Sequence, residues 1–336
     1  MSFFNKKKII VTGGAGFIGS HLTLKLAKAG ADIIVIDNLW RGSLDNFRDR
    51  NGKELIDLEK SFRLADLTNY ARCLELIKDA DYVFHLADIV AGINYVFDHE
   101  SFVFRQNVVL NSNTLAACIA NRIPNYVYVG TACSFPKHLQ MGEGIVALKE
   151  EQTFPAEPES SYGWSKLMGE YEAELADKYN LINVGLARFH NVYGPRSSFD
   201  KNRSQVLPSL VRKAINYPKE KFIVWGNGEQ YRDFVFVDDV VEALLLLAEK
   251  GMGKGLIQFG SEKATTIKEC AETVVNISGK KIDIEYNPAG PQGDRGRIAN
   301  CDKAKTLLGW RTKTSFYDGV LRLFSWVEDQ MERAHI

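Results

Sequence analysis

A tyrosine and a lysine separated by three residues, Tyr162 and Lys166, are the pair with the clearest chemistry in this 336-residue chain. In a helix this spacing places both side chains on one face. An ammonium beside a phenol favours the phenolate, so Tyr162 could take a proton from a hydroxyl, or return one, while a hydride moves. Upstream of this pair, Thr131 ends a predicted strand and could hydrogen-bond the same hydroxyl.

A glycine-rich turn lies near the start of the chain, between an apolar run and an amphipathic stretch. Gly13 permits a tight turn, Gly16 lets the backbone approach a pyrophosphate, and Gly19 lets a helix pack close to a strand. The N–H groups at the start of that helix, around Phe17 and Ile18, attract phosphate oxygens. Between a strand and a helix, this pattern predicts a dinucleotide site.

An acidic residue, Asp37, ends the second apolar run. Its carboxylate could accept hydrogen bonds from both adenosine ribose hydroxyls and would repel a 2′-phosphate, so NAD is favoured over NADP. Arg41, close by, argues in the other direction, and a solvated acid at a strand end is the plainer alternative. Further cofactor contacts are expected at the ends of successive strands, from Asn38, Asp66, Leu67, Leu86, Ala87 and Phe189.

The elements that must position these residues alternate along the first half of the chain. Short apolar runs predict strands at 8–12, 32–36, 82–86, 126–130 and 184–189, and amphipathic stretches predict helices at 18–29, 71–78, 102–121 and 162–179. This alternation predicts an α/β fold, a doubly wound parallel sheet (Rossmann) with a smaller α/β substrate-binding lobe at the C-terminal end. We expect residues 1–195, with about 232–255, to form the NAD-binding domain, and residues 196–231 and 256–336 to form the lobe.

Composition argues against several classes of partner. The 42 lysines and arginines balance 42 aspartates and glutamates, so no nucleic acid or acidic membrane surface is expected, and local charges must hold any anionic ligand. The five cysteines have no metal-ligand spacing, which predicts no metal site and a cytoplasmic protein. No apolar run approaches the roughly 20 residues of a membrane span.

With these motifs in place, nearly the whole chain resembles the extended short-chain dehydrogenase/reductases that act on nucleotide sugars. Besides the glycine turn and the Tyr162–Lys166 pair, the resemblance rests on 188–195 (Arg-Phe-His-Asn-Val-Tyr-Gly-Pro), 225–228 (Trp-Gly-Asn-Gly), 232–234 (Arg-Asp-Phe), 237–239 (Val-Asp-Asp) and 307–310 (Leu-Leu-Gly-Trp). Within that family, the GDP-mannose 3,5-epimerases are resembled at 131–136 (Thr-Ala-Cys-Ser-Phe-Pro), 148–150 (Leu-Lys-Glu), 154–158 (Phe-Pro-Ala-Glu-Pro), 189–191 (Phe-His-Asn), 290–293 (Gly-Pro-Gln-Gly) and 295–297 (Arg-Gly-Arg).

The resemblance implies NAD-dependent oxidation at C4 of a nucleotide-diphosphate sugar, with a GDP-manno-type sugar favoured, in a homodimer. A 4-keto group acidifies the protons at C3 and C5, and Cys133 occupies the position of the family's epimerising base, so that its thiolate could abstract one of these protons. The alternative for Cys133 is a small buried hydrophobe. Polar and cationic residues expected to contact the substrate, by this resemblance and by their chemistry, are Gly92, Asn191, Gln205, Lys213, Gln230, Arg232 and Arg297.

The sequence departs from the GDP-mannose 3,5-epimerases at one catalytic position. Those enzymes carry Arg-Glu-Lys before the helix predicted near 206–216, with the lysine as partner acid, whereas this chain reads Arg203-Ser204-Gln205. Gln205 can hydrogen-bond a substrate but has no proton to give at neutral pH. Single-centre epimerisation by Cys133, a 4-dehydrogenase, a UDP-sugar 4-epimerase and a catalytically silent dinucleotide-binding protein all stay open. Intact Thr131, Tyr162 and Lys166 argue against the silent protein.

Overall fold

Strands and helices alternate through most of the chain, in a computed structural model that describes residues 2–90, 92–141, 144–201, 204–289 and 295–333, with the backbone alone at 93 and 94. The strands are β1 (Lys8–Thr12), β2 (Asp32–Asp37), β3 (Phe62–Leu64), β4 (Tyr82–His85), β5 (Asn125–Thr131), β6 (Ala147–Leu148), β7 (Asn183–Phe189), β8 (Asn191–Tyr193), β9 (Ile223–Trp225), β10 (Tyr231–Phe236), β11 (Leu256–Phe259), β12 (Ala264–Thr266), β13 (Glu285–Asn287) and β14 (Ile298–Ala299).

The helices cover both faces of the main sheet and connect many of the strands. They are α1 (Phe17–Lys28), α2 (Leu58–Ser61), α3 (Tyr70–Leu76), α4 (Ile93–Asp98), α5 (Glu100–Ala120), α6 (Ser161–Lys178), α7 (Val206–Asn216), α8 (Val237–Lys250), α9 (Ile267–Ser278), α10 (Asp302–Leu308) and α11 (Phe316–Arg333). Short 3₁₀ helices occupy Leu44–Phe47, Ala132–Ser134, Lys137–Gln140 and Glu150–Thr153. None of the helices in the described part of the chain combines the length and the apolar character that a membrane crossing requires.

The main sheet has seven strands in the order β3-β2-β1-β4-β5-β7-β11, and every neighbouring pair runs parallel. Ile9 and Val11 of β1 pack into the core on one side of this sheet, and Ile10 packs into the core on the other. Burial on both faces explains why the strands read as continuous apolar runs. The chain order reverses between β1 and β4, which opens a crevice at their carboxyl ends. The doubly wound α/β fold predicted from the sequence is confirmed.

The edge strand β11 differs from the prediction. It pairs with β7 in the main sheet, so residues 256–259 do not belong to the smaller lobe, to which the sequence assigned everything after 255. Four residues with a glutamine among them carry no distinctive pattern. Gln258 is nevertheless buried, because its side-chain amide donates to the carbonyl oxygens of Leu148 and Asn300 at 2.5 and 3.0 Å. With this change, the division into a nucleotide-binding domain and a lobe stays a prediction.

Two buried aspartates, on β10 and on α8, bind segments that follow later in the chain. The carboxylate of Asp233 on β10 accepts from the backbone N–H of Ser261 at 2.5 Å and of Ala299 at 2.8 Å. The carboxylate of Asp239 on α8 accepts from the N–H of Thr314 at 3.0 Å, and the Asp239 carbonyl accepts from the indole of Trp310 at 2.9 Å. Three of the segments behind the family resemblance, 232–234, 237–239 and 307–310, therefore take part in these buried contacts.

Candidate functional site

The glycine turn after β1 has the shape of a phosphate cradle. Gly13 has φ +65°, and a Cβ there would lie 2.6 Å from the backbone nitrogen of Ala87. A Cβ on Gly19 would lie 2.1 Å from the Gly13 oxygen, so α1 packs directly on the turn. A Cβ on Gly16 would meet only the Gly13 oxygen, at 3.1 Å, so this glycine borders open space. No described side chain caps α1 and its first turn has no acidic residue, so the helix start suits a pyrophosphate.

Asp37 is fixed at the end of β2 with its carboxylate beside the turn. It is 8 % exposed, and its two oxygens accept from the N–H groups of Ala15 at 3.0 Å and Leu39 at 2.8 Å. Burial raises the pKa of Asp37, while these backbone donors act in the opposite direction. The Arg41 guanidinium donates to the carbonyl of Val90 in the loop after β4. The Arg41 charge, which in the sequence argued for the 2′-phosphate of NADP, is therefore hydrogen-bonded to the loop after β4.

The other residues predicted to contact the cofactor lie at strand ends, with different exposure. Leu86 and Ala87 are half-buried directly after β4. Asp66 is exposed, and its carboxylate accepts from the N–H of Thr68 at 2.9 Å. Phe189 is 3 % exposed and packs on Phe259 with ring centroids 5.9 Å apart, so little of it can reach the crevice. Asn38 is exposed, Phe17 and Ile18 are half-buried, and Leu67 is buried.

The start of α6 and the 3₁₀ turn after β5 bring three of the predicted catalytic residues together. Ser160 caps α6 by accepting from the N–H of Gly163 at 3.2 Å, and a Cβ on Gly163 would lie 2.3 Å from the Cys133 carbonyl oxygen. The Thr131 side chain hydrogen-bonds the Tyr162 phenol and also accepts from the N–H of Cys133 at 3.3 Å. Cys133 is half-buried, whereas the other four cysteines are buried.

Lys166 has a partner that sequence reasoning missed. Its ammonium forms an ion pair with the Asp88 carboxylate, and the two side chains are 4 % and 3 % exposed. The same ammonium lies 4.5 Å from the ring centroid of Tyr128 on β5. A carboxylate directly after a buried strand, next to the predicted cofactor contacts at Leu86 and Ala87, is the sequence signal that could have found Asp88.

Tyr162 rests as a phenol in this environment. Burial holds its pKa well above the ordinary value, and the Asp88 carboxylate raises it further. The hydrogen bond from Thr131 and the charge of Arg41 lower it. A phenol of high pKa is a weak acid, and its phenolate would be a strong base for a substrate hydroxyl.

Of the residues predicted to bind substrate, Arg297 lies deepest. It is 6 % exposed; one guanidinium nitrogen donates to the Cys133 sulfur at 3.4 Å, and another donates to the side-chain oxygen of Gln140. Two others adjoin each other on the opposite side of the loop after β4. A Cβ on Gly92 would lie 3.2 Å from the Ser204 carbonyl, and Gln205 follows as the exposed N-cap residue of α7.

The remaining predicted substrate contacts lie on α7, on β8 and at the start of β10. The Lys213 ammonium donates to the carbonyl of Ile223 at 2.6 Å, and burial lowers the pKa of Lys213. Arg232 is half-buried and donates to the Tyr231 carbonyl at 2.7 Å. Gln230 is 7 % exposed. Asn191 is half-buried on β8, and Arg203 lies outside the described residues. Within the described ranges, no group of three His, Cys, Asp or Glu side chains could hold a metal ion.

Comparison with known proteins agrees with this geometry. The chain matches the NAD dependent epimerase/dehydratase family over residues 9–258. The chain belongs to this family. It is therefore an enzyme, and NAD is its cofactor.

Relatives with known activities extend over nearly the whole chain. It is 32 % identical to the GDP-mannose 3,5-epimerase of Arabidopsis thaliana over 97 % of its own length and 83 % of that protein. A UDP-glucose 4-epimerase from Thermotoga maritima, solved with UDP-glucose, superposes with a TM-score of 0.85 at 27 % identity, covering 96 % of this chain and 99 % of that one. A dTDP-glucose 4,6-dehydratase from Bacillus anthracis, solved with NAD, gives a TM-score of 0.80 at 25 % identity over 97 % and 98 %.

Proposed function

We propose that this enzyme oxidises a GDP-manno-type sugar, a hexose or heptose, at C4 and epimerises the 4-keto sugar at one neighbouring carbon through Cys133. The observation that carries the proposal is the half-buried Cys133 sulfur, 3.4 Å from the Arg297 guanidinium, in the segment that also brings Thr131 to Tyr162. Similarity to a GDP-mannose 3,5-epimerase supports the guanine base.

Tyr162 and Thr131 would handle the C4 hydroxyl. Bound NAD supplies the hydride acceptor for oxidation at C4. Tyr162 takes the hydroxyl proton as the hydride leaves and returns it when the ketone is reduced again. The Thr131 hydroxyl, already bonded to the phenol, orients the oxygen of Tyr162 and is within reach of the same sugar oxygen.

Cys133 would act on the carbon next to the ketone. Its thiolate takes the proton from C3 or C5, and the electron pair of the broken C–H bond moves into the enolate. The Arg297 guanidinium next to the sulfur stabilises the negative charge before transfer, which supports a role for Arg297 at the sugar end of the substrate. Re-protonation from the other face must use solvent, because Gln205 has no proton to give.

The diphosphate would then be bound by other cations of the smaller lobe. Arg232 is half-buried beside the loop that contains Gln230, and its planar donors suit phosphate oxygens. Lys213 contributes a second positive charge at the end of α7, although its ammonium is bonded to the Ile223 carbonyl. Exchange of that carbonyl for a phosphate oxygen is the binding step we propose for Lys213.

Deuterium exchange tests the reaction. Incubation of the enzyme with GDP-mannose-type sugars in deuterated water should introduce deuterium at C3 or C5 of the sugar. NMR of the sugar detects this exchange. A Cys133→Ala variant should still form the reduced-nicotinamide absorbance band but introduce no deuterium, and Tyr162→Phe should do neither. A wild-type enzyme that forms a 4-keto sugar without exchange would instead be a 4-dehydrogenase. Full turnover of a UDP-sugar by Cys133→Ala would make it a 4-epimerase, and no reduction of NAD by any nucleotide sugar would indicate a silent protein.

We also propose a homodimer formed through α5 and α6, as the family resemblance implies. The two helices pack side by side, joined by a hydrogen bond from the Ser112 hydroxyl to Glu172 at 2.8 Å. Trp164, Met168 and Tyr171 are exposed at helical spacing along the outer face of α6, and exposed apolar stripes of this kind mark interfaces. A Met168→Glu variant should lower the mass measured by light scattering to that of a monomer. The same mass as wild type would contradict this interface.

A further inference from the structure

A chain of hydrogen bonds runs through the buried interior between the glycine turn and α6. It begins at the backbone N–H of Ala87, which donates to the hydroxyl oxygen of Thr12 at 3.4 Å, where β1 and β4 end. The Thr12 oxygen lies 2.7 Å from Nδ1 of His85, and Nε2 of His85 lies 2.8 Å from the side-chain oxygen of Asn111. This half of the chain joins the floor of the dinucleotide crevice to α5.

The second half of the chain ends on α6. The side-chain amide of Asn111 donates to the Tyr128 hydroxyl at 3.2 Å, and that hydroxyl donates to the backbone carbonyl of Lys166 at 3.2 Å. The Lys166 ammonium lies 4.5 Å from the centroid of the Tyr128 ring. A Cβ on Gly169 would lie 2.3 Å from the Tyr128 oxygen, so α6 packs directly against this hydroxyl. Tyr128 therefore meets both the backbone and the side chain of Lys166.

The carbonyl at the end of the chain fixes the direction of every bond before it. A backbone carbonyl can only accept, so the Tyr128 hydroxyl donates to Lys166 and accepts from the NH2 group of Asn111. The Asn111 oxygen then faces His85 and accepts from its Nε2–H. Nδ1 of His85 keeps its lone pair and accepts from the Thr12 hydroxyl. Burial and the nearby charge of Lys166 lower the pKa of His85 to about 3, which agrees with a neutral ring.

A directed chain without access to water specifies one arrangement of the elements that it joins. Its four side chains are 3 % exposed or less, so a broken link would leave a buried polar group without a partner. Reversal of one link would require reversal of the others, and the backbone groups at the two ends cannot reverse. The strand ends of β1 and β4 are thereby held in one position relative to α6.

We propose that this chain of hydrogen bonds positions Lys166 for catalysis, because it fixes the backbone from which the ammonium extends relative to the crevice. The positioning residues are its four side chains, Thr12, His85, Asn111 and Tyr128. The inference rests on the proposed function, in which the phenol one helical turn before Lys166 acts on the C4 oxygen. Misplacement of a reacting group by about an ångström can cost roughly 100-fold in rate, so the backbone of Lys166 needs this support.

The tautomer of His85 tests the chain without any substrate. In ¹⁵N-labelled protein near neutral pH, Nε2 of His85 should have the chemical shift of a protonated nitrogen, and Nδ1 should have that of an unprotonated one. The His85→Gln variant assigns the two signals. A proton on Nδ1, alone or together with one on Nε2, would overturn the inference.

The position of Lys166 can be followed through its ε-methylene protons, which the ring current of Tyr128 shifts and which Lys166→Met assigns. Tyr128→Phe removes the hydroxyl and keeps the ring, so these protons should lose part of their ring-current shift as α6 moves. Asn111→Leu breaks the chain without altering either residue and should give the same loss. It also covers the case in which Tyr128→Phe does not fold.

The matched control is Tyr126→Phe, which removes a hydroxyl from the same strand. Tyr126 is 1 % exposed, and its ring centroid lies 6.4 Å from that of Tyr128 and 5.9 Å from that of His85. Its hydroxyl is not a link of the chain, so the Lys166 signals should stay at their wild-type positions. The same loss in this control, or unchanged Lys166 signals in both Tyr128→Phe and Asn111→Leu, would overturn the inference.

Activity measurements distinguish this inference from the proposed function. With an accepted sugar, Tyr128→Phe should lower kcat about tenfold and leave KM and the Kd of NAD within about twofold, because its hydroxyl is buried away from both ligands. If no nucleotide sugar reduces NAD, the proposed function fails while the His85 and Lys166 signals still decide the role of the chain. If sugars turn over and Tyr128→Phe keeps the wild-type kcat, the inference fails alone.

Discussion

Alanine at Gly16 and alanine at Gly19 should have separable effects, although both residues line one turn. A Cβ on Gly19 would lie 2.1 Å from the Gly13 oxygen and 2.8 Å from the Gly14 Cα, both backbone atoms that cannot swing aside. A Cβ on Gly16 would meet a single atom at 3.1 Å and otherwise face the crevice. Gly19→Ala should therefore disturb the protein itself, and Gly16→Ala should disturb the approach of NAD.

The distances set the magnitudes. Ordinary contact begins at 3.4 Å, so Gly19→Ala requires α1 to move by more than an ångström, and Gly16→Ala requires a few tenths. Overpacking of the first kind costs about 2–3 kcal/mol, which lowers the melting temperature of a chain of 336 residues by roughly 3–4 °C, and the second kind costs less than about 1 kcal/mol. At Gly16 the methyl displaces the pyrophosphate from two backbone donors. At about 1.5 kcal/mol each, this loss weakens NAD binding about 100-fold.

Thermal unfolding with and without NAD, together with calorimetric titration of nucleotide-free protein, checks both effects. At an NAD concentration of 100 times the wild-type Kd, NAD should stabilise the wild type by about 2.7 kcal/mol. The same concentration should stabilise Gly16→Ala by about 0.4 kcal/mol. Gly19→Ala should melt lower even without NAD. Wild-type affinity in Gly16→Ala would show that the pyrophosphate does not approach this turn. An unchanged melting temperature in Gly19→Ala would refute the packing argument.

Three further predictions concern buried charges. Lys166→Met leaves the buried Asp88 carboxylate without its partner, so the free energy of unfolding should fall by about 3–5 kcal/mol near neutral pH. In mild acid, where Asp88 takes a proton, the loss should be smaller. An equal loss at both pH values, measured by urea unfolding, would contradict this prediction. Burial lowers the pKa of His85 to about 3, whereas unfolded histidine takes a proton near 6.5, so stability should decline as pH falls from about 6.5 toward 3. His85→Gln should make that decline smaller. If the variant and the wild type lost stability equally as the pH falls, His85 would not be its cause. Asp233→Asn should cost about 2–3 kcal/mol, because the amide keeps one acceptor oxygen and presents an NH2 donor to the other N–H group, of Ser261 or Ala299. An unchanged urea midpoint would count against that role.

Local sequence was enough to predict most of the main sheet. Strands buried on both faces are runs of apolar residues, and helices that cover them have one apolar face, so β1 and α1 each lie within one or two residues of prediction. The strand β11 was missed because its place depends on pairing with β7, which local pattern does not encode. The glycine turn was predictable because backbone geometry demands glycine there, as the positive φ of Gly13 shows.

The placement of the candidate site was predicted only in part. Tyr162 and Lys166 share one helix, so their spacing alone placed them on one face. Thr131 meets Tyr162 only because β5 and α6 pack together, and the half-burial of Cys133 could not be read from its type. Roles for these residues remain proposals, which the deuterium exchange experiment tests.

By itself, the sequence determined the α/β class, the nucleotide turn and the tyrosine–lysine pair, because each depends on the periodicity or backbone demands of consecutive residues. Tertiary structure alone decided which charges meet. Arg297 reaches the Cys133 sulfur across 164 residues of chain, and Asp88 reaches Lys166 from a different strand end. Such contacts arise when separate elements pack around one core, and in that low-dielectric interior they set the proton affinity of the site.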